Sequence, residues 1–370
     1  MRVGSVKEII DNEFRVGLTP ADVIQYTNHG HEVVLERGLG ETSGFEDADY
    51  EEAGAIFYED AESVWAAADM IIKVKEPQPS EYPLMREGQI IYTYLHLAAN
   101  PELTEAMVNQ GVTGFAYETV TDAQGRLPLL SPMSQIAGRL SVFAGARALE
   151  KPMGGSGVLL SGVPGVRSAN VLILGAGVVG SNAAIVAQGI GANVTIMDVN
   201  LQRLADLDYQ YNSQMPTVFS EEAAIDQYIE DSDLVISTVL IPGARAPKLV
   251  KREHLKKMRP GSVIVDVAID QGGSTEMSRA TTHSNPTYVE EGIVMYCVSN
   301  MPGAVPFTSS KALANATVRY GLQIADNGAA VVKKNPGLLS GLNTYKGYVT
   351  SDAVAQSLDM EYRNPMDLLD

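Results

Sequence analysis

The stretch Val171 to Asp198, VLILGAGVVGSNAAIVAQGIGANVTIMD, constrains this chain more than any other part of it. Val171 to Leu174 is a short unbroken apolar run, the pattern of a parallel strand buried on both faces. It runs straight into Gly175, Gly177 and Gly180, spaced G-x-G-x-x-G. In that spacing the first glycine permits a tight turn, the second admits a pyrophosphate against the backbone, and the third lets a helix pack closely on the strand. Val178 to Ile190 reads as that helix, with its first N–H groups aimed at phosphates. Asn193 to Met197 reads as the next strand and ends at Asp198, 18 residues past Gly180. A carboxylate there accepts hydrogen bonds from the adenosine ribose hydroxyls and repels a 2′-phosphate. Glycines alone also serve ordinary turns; strand, glycines, helix, strand and terminal acid in this order predict a grip for NAD. Arg203 tempers the preference slightly, because an arginine near the acid can accept a 2′-phosphate; it is expected along the adenine side, with Asp198 dominant.

At 370 residues the chain exceeds one typical core, so two domains are expected. A net charge of −18 argues against nucleic acid or an anionic membrane as partner, and any anionic substrate must be drawn by a local positive cluster. The lone cysteine, Cys297, sits in the apolar run Ile293 to Val298 and reads as a packed core thiol. The N-terminus carries Arg2, Lys7 and Glu8 and lacks a signal-peptide pattern. No run approaches the ~20 apolar residues of a membrane helix, and a cytoplasmic location is expected.

From Met1 to about Leu127, apolar runs alternate with helical stretches, the pattern of βαβ units. Strands are predicted at Val3–Val6, Glu32–Leu35, Met70–Val74, Ile90–Tyr94 and Val112–Ala116, with helices at Pro20–His29, Ala61–Ala68 and Pro101–Gln110. Thr19 and Asn100 are the expected N-caps, each before a first-turn proline. A long helix, with Ser131 as N-cap and Pro132 in the first turn, is predicted through Leu149 and bridges two domains. After the glycine-rich segment Gly154 to Gly165, the dinucleotide sheet continues with strands near Thr217–Phe219, Leu234–Thr238, Ser262–Val267 and Ile293–Val298, six in all. A helix over Ser309–Asn327 is expected to pair with the one at Ser131, returning the tail to the first domain. The expected architecture is α/β: two Rossmann-like open parallel-sheet domains joined by long helices, with an active-site cleft between them. Residues 1–130 with 307–370 form a discontinuous substrate domain, and 131–306 form the NAD-binding domain.

In open α/β sheets, ligands lie beyond the carboxyl ends of the strands. Four polar residues follow predicted strands: Arg15 in NEFRVGLTP, Lys75 in KVKEP, His96 in YLHLAAN and Asp270 in VDVAIDQGG. Singly, each has a plain reading as a solvated charge, a local cap or a turn residue. Jointly, two cations and a histidine facing a carboxylate suit a small anion bearing a carbonyl or amine. His29 and His31 form H-x-H at a Gly30 turn without a supporting acid or thiol cluster. His254 sits in a basic helix, with Lys251, Arg252, Lys256 and Lys257, that reads as a solvated face; His283 lies in a polar loop. No metal is expected.

The segments Lys7-Glu8, NEFRVGLTP, KVKEP, TYLHLA, SGVPGV (Ser161 to Val166, where GGVPGV is usual), LGAGVVG, VDVAIDQGG and SNMPGAVPFTSS closely resemble the alanine dehydrogenases. That family also includes the soluble nucleotide-binding part of proton-translocating transhydrogenase. The resemblance spans Lys7 to Ser310 and implies two Rossmann-like domains, the first holding both termini, usually assembled as a homo-hexamer. It implies that Arg15 binds the substrate carboxylate, Lys75 the carbonyl oxygen of pyruvate, and that His96 is general acid and base. Asp270 would orient water or ammonia near the nicotinamide ribose, and Tyr94 and Met133 would wall a small side-chain pocket. Asn300 and Met301 would border nicotinamide, Ser134 the pyrophosphate and Ser220 the adenine. Val178, Val179, Val239, Leu240, Val267, Ile269 and Val298 complete the expected cofactor contacts. The implied reaction is L-alanine + NAD+ + water to pyruvate + NADH + ammonium. The alternatives are a transhydrogenase subunit, a dehydrogenase of another small amino or oxo acid, and a catalytically silent nucleotide-binding protein.

Overall fold

The computed structural model describes residues 1–239 and 246–369. The chain divides into two compact units, Met1–Met133 with Gly303–Asp370, and Ser134–Pro302. In chain order the strands are β1 Arg2–Ser5, β2 Glu32–Glu36, β3 Ile56–Tyr58, β4 Met70–Ile72, β5 Ile90–Thr93, β6 Thr113–Ala116, β7 Asn170–Leu174, β8 Asn193–Asp198, β9 Thr217–Phe219, β10 Leu234–Ser237, β11 Val263–Asp266, β12 Thr287–Glu290, β13 Ile293–Tyr296, β14 Leu342–Tyr345 and β15 Tyr348–Val349.

In the first unit the sheet order is β15-β14-β6-β5-β4-β1-β2-β3. Strands β1 to β6 are parallel, and β14 and β15 extend the β6 edge antiparallel. The second sheet is ordered β12-β13-β11-β10-β7-β8-β9, parallel except for β12. Both sheets are therefore wound outward from a central pair, β1/β4 in the first and β7/β10 in the second. Such a pair marks the topological switch point, where loops diverge and leave a crevice. The antiparallel edge strands were not expected from the sequence.

Residue alternation explains why the central strands read as unbroken apolar runs. Val171 and Ile173 of β7, with Leu234 and Ile236 of β10, face a core shared with Ala183, Ala184 and Ala187. Leu172, Leu174 and Val235 point the other way, toward Ile225, Ile229 and Leu255. A strand covered on both faces by helices has no polar side to show. Cys297 is wholly buried there, and burial pushes its thiol up to about 11.

Helix starts follow the expected chemistry. Asp22 accepts from the Thr19 N–H and hydroxyl at 2.8 and 2.7 Å ahead of Pro20–Asn28, and the Asn100 side chain accepts from the Leu103 N–H ahead of Pro101–Asn109. Ser131 is the first residue of the helix Ser131–Leu149 rather than its cap. Helix Pro306–Asn327 buries Leu313, Val318, Leu322 and Ile324 within the first unit. His254 corrects the solvated-face expectation. The helix Arg252–Lys257 has six residues, and His254 is buried on its inner side: Nδ1 accepts from the Lys251 N–H, and Nε2 lies 3.1 Å from Asp226.

Candidate active site

Strand ends of the first unit carry Arg15, Lys75, Tyr94 and His96. Arg15 follows β1 and Lys75 follows β4, so the two cations bracket the switch point of that sheet. Tyr94 and His96 follow β5, the next strand over. Residues 73–75 lie beyond β4, which ends at Ile72 rather than Val74.

Arg15 is buried, and a carboxylate already meets it. Its Nε and one terminal nitrogen donate to the two oxygens of Glu13 at 2.7 and 2.5 Å, a bidentate pair with both side chains at most 2% exposed. Its other terminal nitrogen lies 3.0 Å from the sulfur of Met133. Burial opposes the Arg15 charge, but the Glu13 pairing outweighs it and holds the guanidinium pKa above its ordinary value.

Lys75 is half-buried, and its ammonium makes no ion pair among the described residues. Its backbone is fixed from behind. Glu8 accepts from the Val74 and Lys75 N–H groups at 2.6 and 3.3 Å, and its second oxygen is 3.2 Å from the ammonium of Lys73. Lys73, fully buried, reaches Glu81 at 3.0 Å on its other side.

His96 has a side chain 45% exposed and a left-handed backbone, φ 48° and ψ 37°. Glu118 stabilises that turn by accepting from the Leu95 N–H at 3.2 Å and the His96 N–H at 2.6 Å. The ring stacks on Tyr94 at 5.9 Å and 14°, and Nδ1 lies 3.1 Å from Glu76. Burial alone would hold the imidazole pKa down. The Glu76 hydrogen bond and the Glu118 and Glu76 charges outweigh burial and Lys75, and place it above the ordinary value. Tyr94 is buried, and its hydroxyl donates to the Leu129 carbonyl at 2.7 Å. Burial raises that phenol far above its ordinary pKa, against the pull of Arg15. It stays neutral at physiological pH.

The glycines of the second unit form a cradle that fits a dinucleotide. Gly175 has φ 99°, and a Cβ on Gly180 would fall on the Gly175 carbonyl oxygen. A Cβ on Gly177 would meet nothing within 4 Å, so the space a phosphate needs lies open at that residue alone of the three. Val239 packs beside Gly175, and Val178 and Val179 open the following helix with Val178 exposed. On the connecting helix, Gly138 allows close approach to the Val179 carbonyl, one turn after the half-buried Ser134. Asp198, at the end of β8, accepts from the Ala176 N–H at 2.6 Å and the Asn200 N–H at 2.8 Å. Arg203 donates to the Ala176 carbonyl at 2.8 Å and the Ser181 hydroxyl at 2.6 Å. It clamps the glycine turn. Ser220 donates its N–H to the Asp198 carbonyl. We expect Gly177→Ala to leave the melting temperature unchanged while raising the NADH dissociation constant about 10-fold, because its methyl enters only the phosphate space. Gly180→Ala lowers stability instead; calorimetry and fluorescence titration separate the two.

Asp270 is exposed at the tip of the 3₁₀ turn Val267–Gln271. The buried carboxylate of Asp266 caps that turn, accepting from the Ala268 N–H at 3.1 Å, the Ser274 N–H at 2.7 Å, and the Ser274 and Ser278 hydroxyls. Lys248 closes its other end on the Gly272 and Gly273 carbonyls, both at 2.7 Å. Ile269, Val298 and Met301 are buried and Val267 partly so. Asn300 has a left-handed backbone, φ 64°, and its carbonyl lies 3.1 Å from His283 Nε2. Leu240 lies outside the described residues.

Sequence reasoning singled out Arg15, Lys75 and His96 but not the acids that hold them: Glu13, Glu8, Glu76 and Glu118. The one local signal was an acid set beside a candidate cation, in NEFR and KVKEP.

Residues 4–137 match the family description "Alanine dehydrogenase/PNT, N-terminal domain", and residues 141–352 match "Alanine dehydrogenase/PNT, C-terminal domain". The chain belongs to the alanine dehydrogenase/PNT family. Within it, the alanine dehydrogenase of Methanococcus maripaludis is 53% identical over 364 residues, covering 98% of each chain. A solved L-alanine dehydrogenase aligns with TM-score 0.94 at 48% identity, covering 97% of this chain and 99% of its own. The transhydrogenase of Sinorhizobium meliloti aligns at 0.82 and 28%, covering 95% and 100%. An oxidoreductase role and a nicotinamide cofactor follow for this chain, and no helix of the described residues is long and apolar enough to cross a membrane. No group of three or more metal-ligating side chains occurs among the described residues.

Proposed function

We propose that the chain catalyses the NAD-dependent oxidative deamination of L-alanine to pyruvate and ammonium, and the reverse amination. One observation carries the reading: Arg15, Lys75 and His96 stand at carboxyl strand ends around the switch point of a sheet that has no glycine grip of its own. Two cations and an imidazole are what a 2-oxo acid and its amine require. Near-complete coverage by alanine dehydrogenases about half identical supports it.

Bound nicotinamide supplies the two-electron redox chemistry. Arg15, whose Nε and one terminal nitrogen pair with Glu13, binds the substrate carboxylate through further N–H groups of its terminal nitrogens. Lys75 hydrogen-bonds the carbonyl oxygen and steadies the negative charge that develops on it. His96 takes a proton from water as it adds to the imine carbon, then returns it to the departing ammonia. Asp270 orients the water or ammonia, and Tyr94 and Met133 wall a pocket sized for a methyl group. On the cofactor, Asp198 binds the ribose hydroxyls and disfavours a 2′-phosphate. Ser134 contacts the pyrophosphate and Ser220 the adenine side. Val178, Val179, Val239, Val267, Ile269, Val298, Asn300 and Met301 line the remainder. Arg203 is engaged by the glycine turn through its Nε and one terminal nitrogen. A homo-hexamer in the cytoplasm completes the proposal.

The test is oxidation of NADH with pyruvate, with and without ammonium. Ammonium-dependent oxidation is expected. Oxidation without ammonium, or with another oxo acid only, would replace the substrate assignment. Transfer to a second nucleotide would favour the transhydrogenase reading.

A further inference from the structure

We propose that Glu76 is the positioning residue for His96: its carboxylate accepts a hydrogen bond from Nδ1–H, leaves Nε2 as the working nitrogen, and sets the pH window in which that nitrogen exchanges protons. The inference rests on the assignment of His96 above and deepens it, naming what holds and tunes the ring.

The geometry is local and specific. Glu76 Oε2 lies 3.1 Å from His96 Nδ1, and its side chain is only 18% exposed. Burial would raise the Glu76 pKa, but the hydrogen bond and charge of His96 outweigh it and hold the carboxyl below its ordinary value. Glu76 is thus ionised at neutral pH, and an ionised carboxylate only accepts. The ring nitrogen facing it must carry the proton, so in the neutral imidazole the lone pair is on Nε2. Glu76 is itself anchored: Gln78 donates its side-chain amide to the Glu76 carbonyl at 2.9 Å, and Pro77 is buried.

The other groups around the ring do different work. Tyr94, from β5, stacks on it and fixes its plane without an accepting or donating contact to it. Glu118, from the turn after β6, bonds only backbone N–H groups, yet its charge reaches the imidazole. Lys75, from the segment after β4, opposes the positive ring. Tyr82 feels the charges of Glu76 and Glu81. Among these, Glu76 is the one side chain that hydrogen-bonds the ring. Glu118 builds the turn and Glu76 chooses the nitrogen. The same division, a carboxylate orienting an imidazole that itself meets substrate, governs serine hydrolase triads.

Removing the Glu76 charge lowers the His96 pKa, because the cation loses its nearest counter-ion. Deamination needs neutral His96 and amination needs it protonated. In Glu76→Gln the acid limb of kcat/KM for deamination and the alkaline limb for amination therefore both move down, by about 0.5 to 1 pH unit for a half-exposed ring. Turnover falls about 10-fold or more, since the glutamine amide can donate to Nδ1 and favour the wrong tautomer. Glu76→Asp keeps the charge on a shorter stem and recovers part of both effects. Glu118→Gln disturbs the backbone and lowers turnover, with a smaller shift of the limbs.

The experiment measures both pH profiles on the full-length enzyme, together with NMR titration of ¹⁵N-labelled histidine. The chain has five histidines, and the His96 signal is the one absent from His96→Ala. The expected result is an Nδ1–H tautomer in the wild type and a lowered His96 pKa in Glu76→Gln. Unchanged tautomer, titration and limbs in Glu76→Gln would overturn the proposal. Wild-type turnover in His96→Ala would instead overturn the assignment of His96, while the NMR titration would still decide whether Glu76 tunes the ring. If Glu76→Gln does not fold, Glu76→Asp carries the same comparison through its tautomer and titration.

Discussion

Replacing His96 with alanine is expected to lower turnover of L-alanine by about 100-fold or more, in the range that general acid–base catalysis contributes. The His96 side chain is 45% exposed and its ring stacks on Tyr94. Its removal therefore opens no closed cavity, and stability is expected to change by less than about 1 kcal/mol. The left-handed backbone at this position is held by Glu118 through main-chain N–H groups that remain when the side chain is removed. NADH affinity is expected to persist, because the glycine cradle is built within the second unit from β7, β8 and their connecting helix. What disappears is the proton carrier: water must then add to the imine without a base, and ammonia must leave without an acid. Asp270→Asn is expected to lower turnover to a similar degree through the other member of the proposed pair, with its turn still capped by Asp266. The measurement is steady-state turnover beside a thermal melt and an NADH titration. Wild-type-like turnover in either variant would remove that residue from the chemistry.

The contrast between what could and could not be read in the sequence follows from the range of the interactions. Val171 to Asp198 was legible because every part of that grip is local: an apolar strand, a glycine turn, a helix and an acid, in one continuous stretch. The central strands were legible because burial on both faces leaves an unbroken apolar run. The edges were not. β14 is LNTY and pairs with β6, more than two hundred residues away, so nothing near it in sequence announces a strand. β3 is only three residues long, and β12 is four residues of mixed polarity. The same reasoning covers the site. Arg15, Lys75 and His96 stand out as rare cations and imidazole at strand ends in a chain of net charge −18. Their acidic partners do not stand out among 45 acids, and Glu8 and Glu118 reach the Lys75 and His96 segments from 67 and 22 residues away. His254 was misjudged because a helix of six residues has too little periodicity to reveal its inner face.

The larger effect on stability is expected at Lys73, which touches no proposed substrate. Its ammonium sits between Glu8 at 3.2 Å and Glu81 at 3.0 Å, with the three side chains 0%, 2% and 6% exposed. Lys73→Met keeps the length and much of the volume, so the change isolates the charge. It leaves two buried carboxylates facing each other without a cation, and removing one partner of a buried ion pair costs about 3–5 kcal/mol. For a unit of this size that corresponds to a fall in melting temperature of roughly 6–20 °C. The pH dependence has a definite sign. Burial already holds Glu8 above its ordinary value of 4.5, against the pull of Lys73. Such a group favours the folded state most when protonated, and its contribution declines as pH rises from 4.5 through the folded value. Without Lys73 the Glu8 carboxyl rises further, so the deficit of the variant is largest at pH 7 and narrows on acidification toward about pH 5. Lys73 itself acts at the other end: its pKa is held above 10.5 by Glu8 and Glu81 against burial, so its contribution is complete below 10.5 and lost as pH rises through the folded value. Glu8→Gln added to Lys73→Met removes one of the stranded charges and should recover part of the loss, a coupling that a double-mutant cycle reads directly. Function should follow stability here, because the Glu8 oxygen that accepts from Val74 and Lys75 belongs to the same cluster. Loosening it lets the Lys75 turn shift, and KM for pyruvate is expected to rise more than turnover falls. A melting temperature within about 2 °C of wild type, less than about 1 kcal/mol for a unit of this size, would show that water reaches the cluster and screens it. A deficit independent of pH would show that packing, not charge, is what Lys73 supplies.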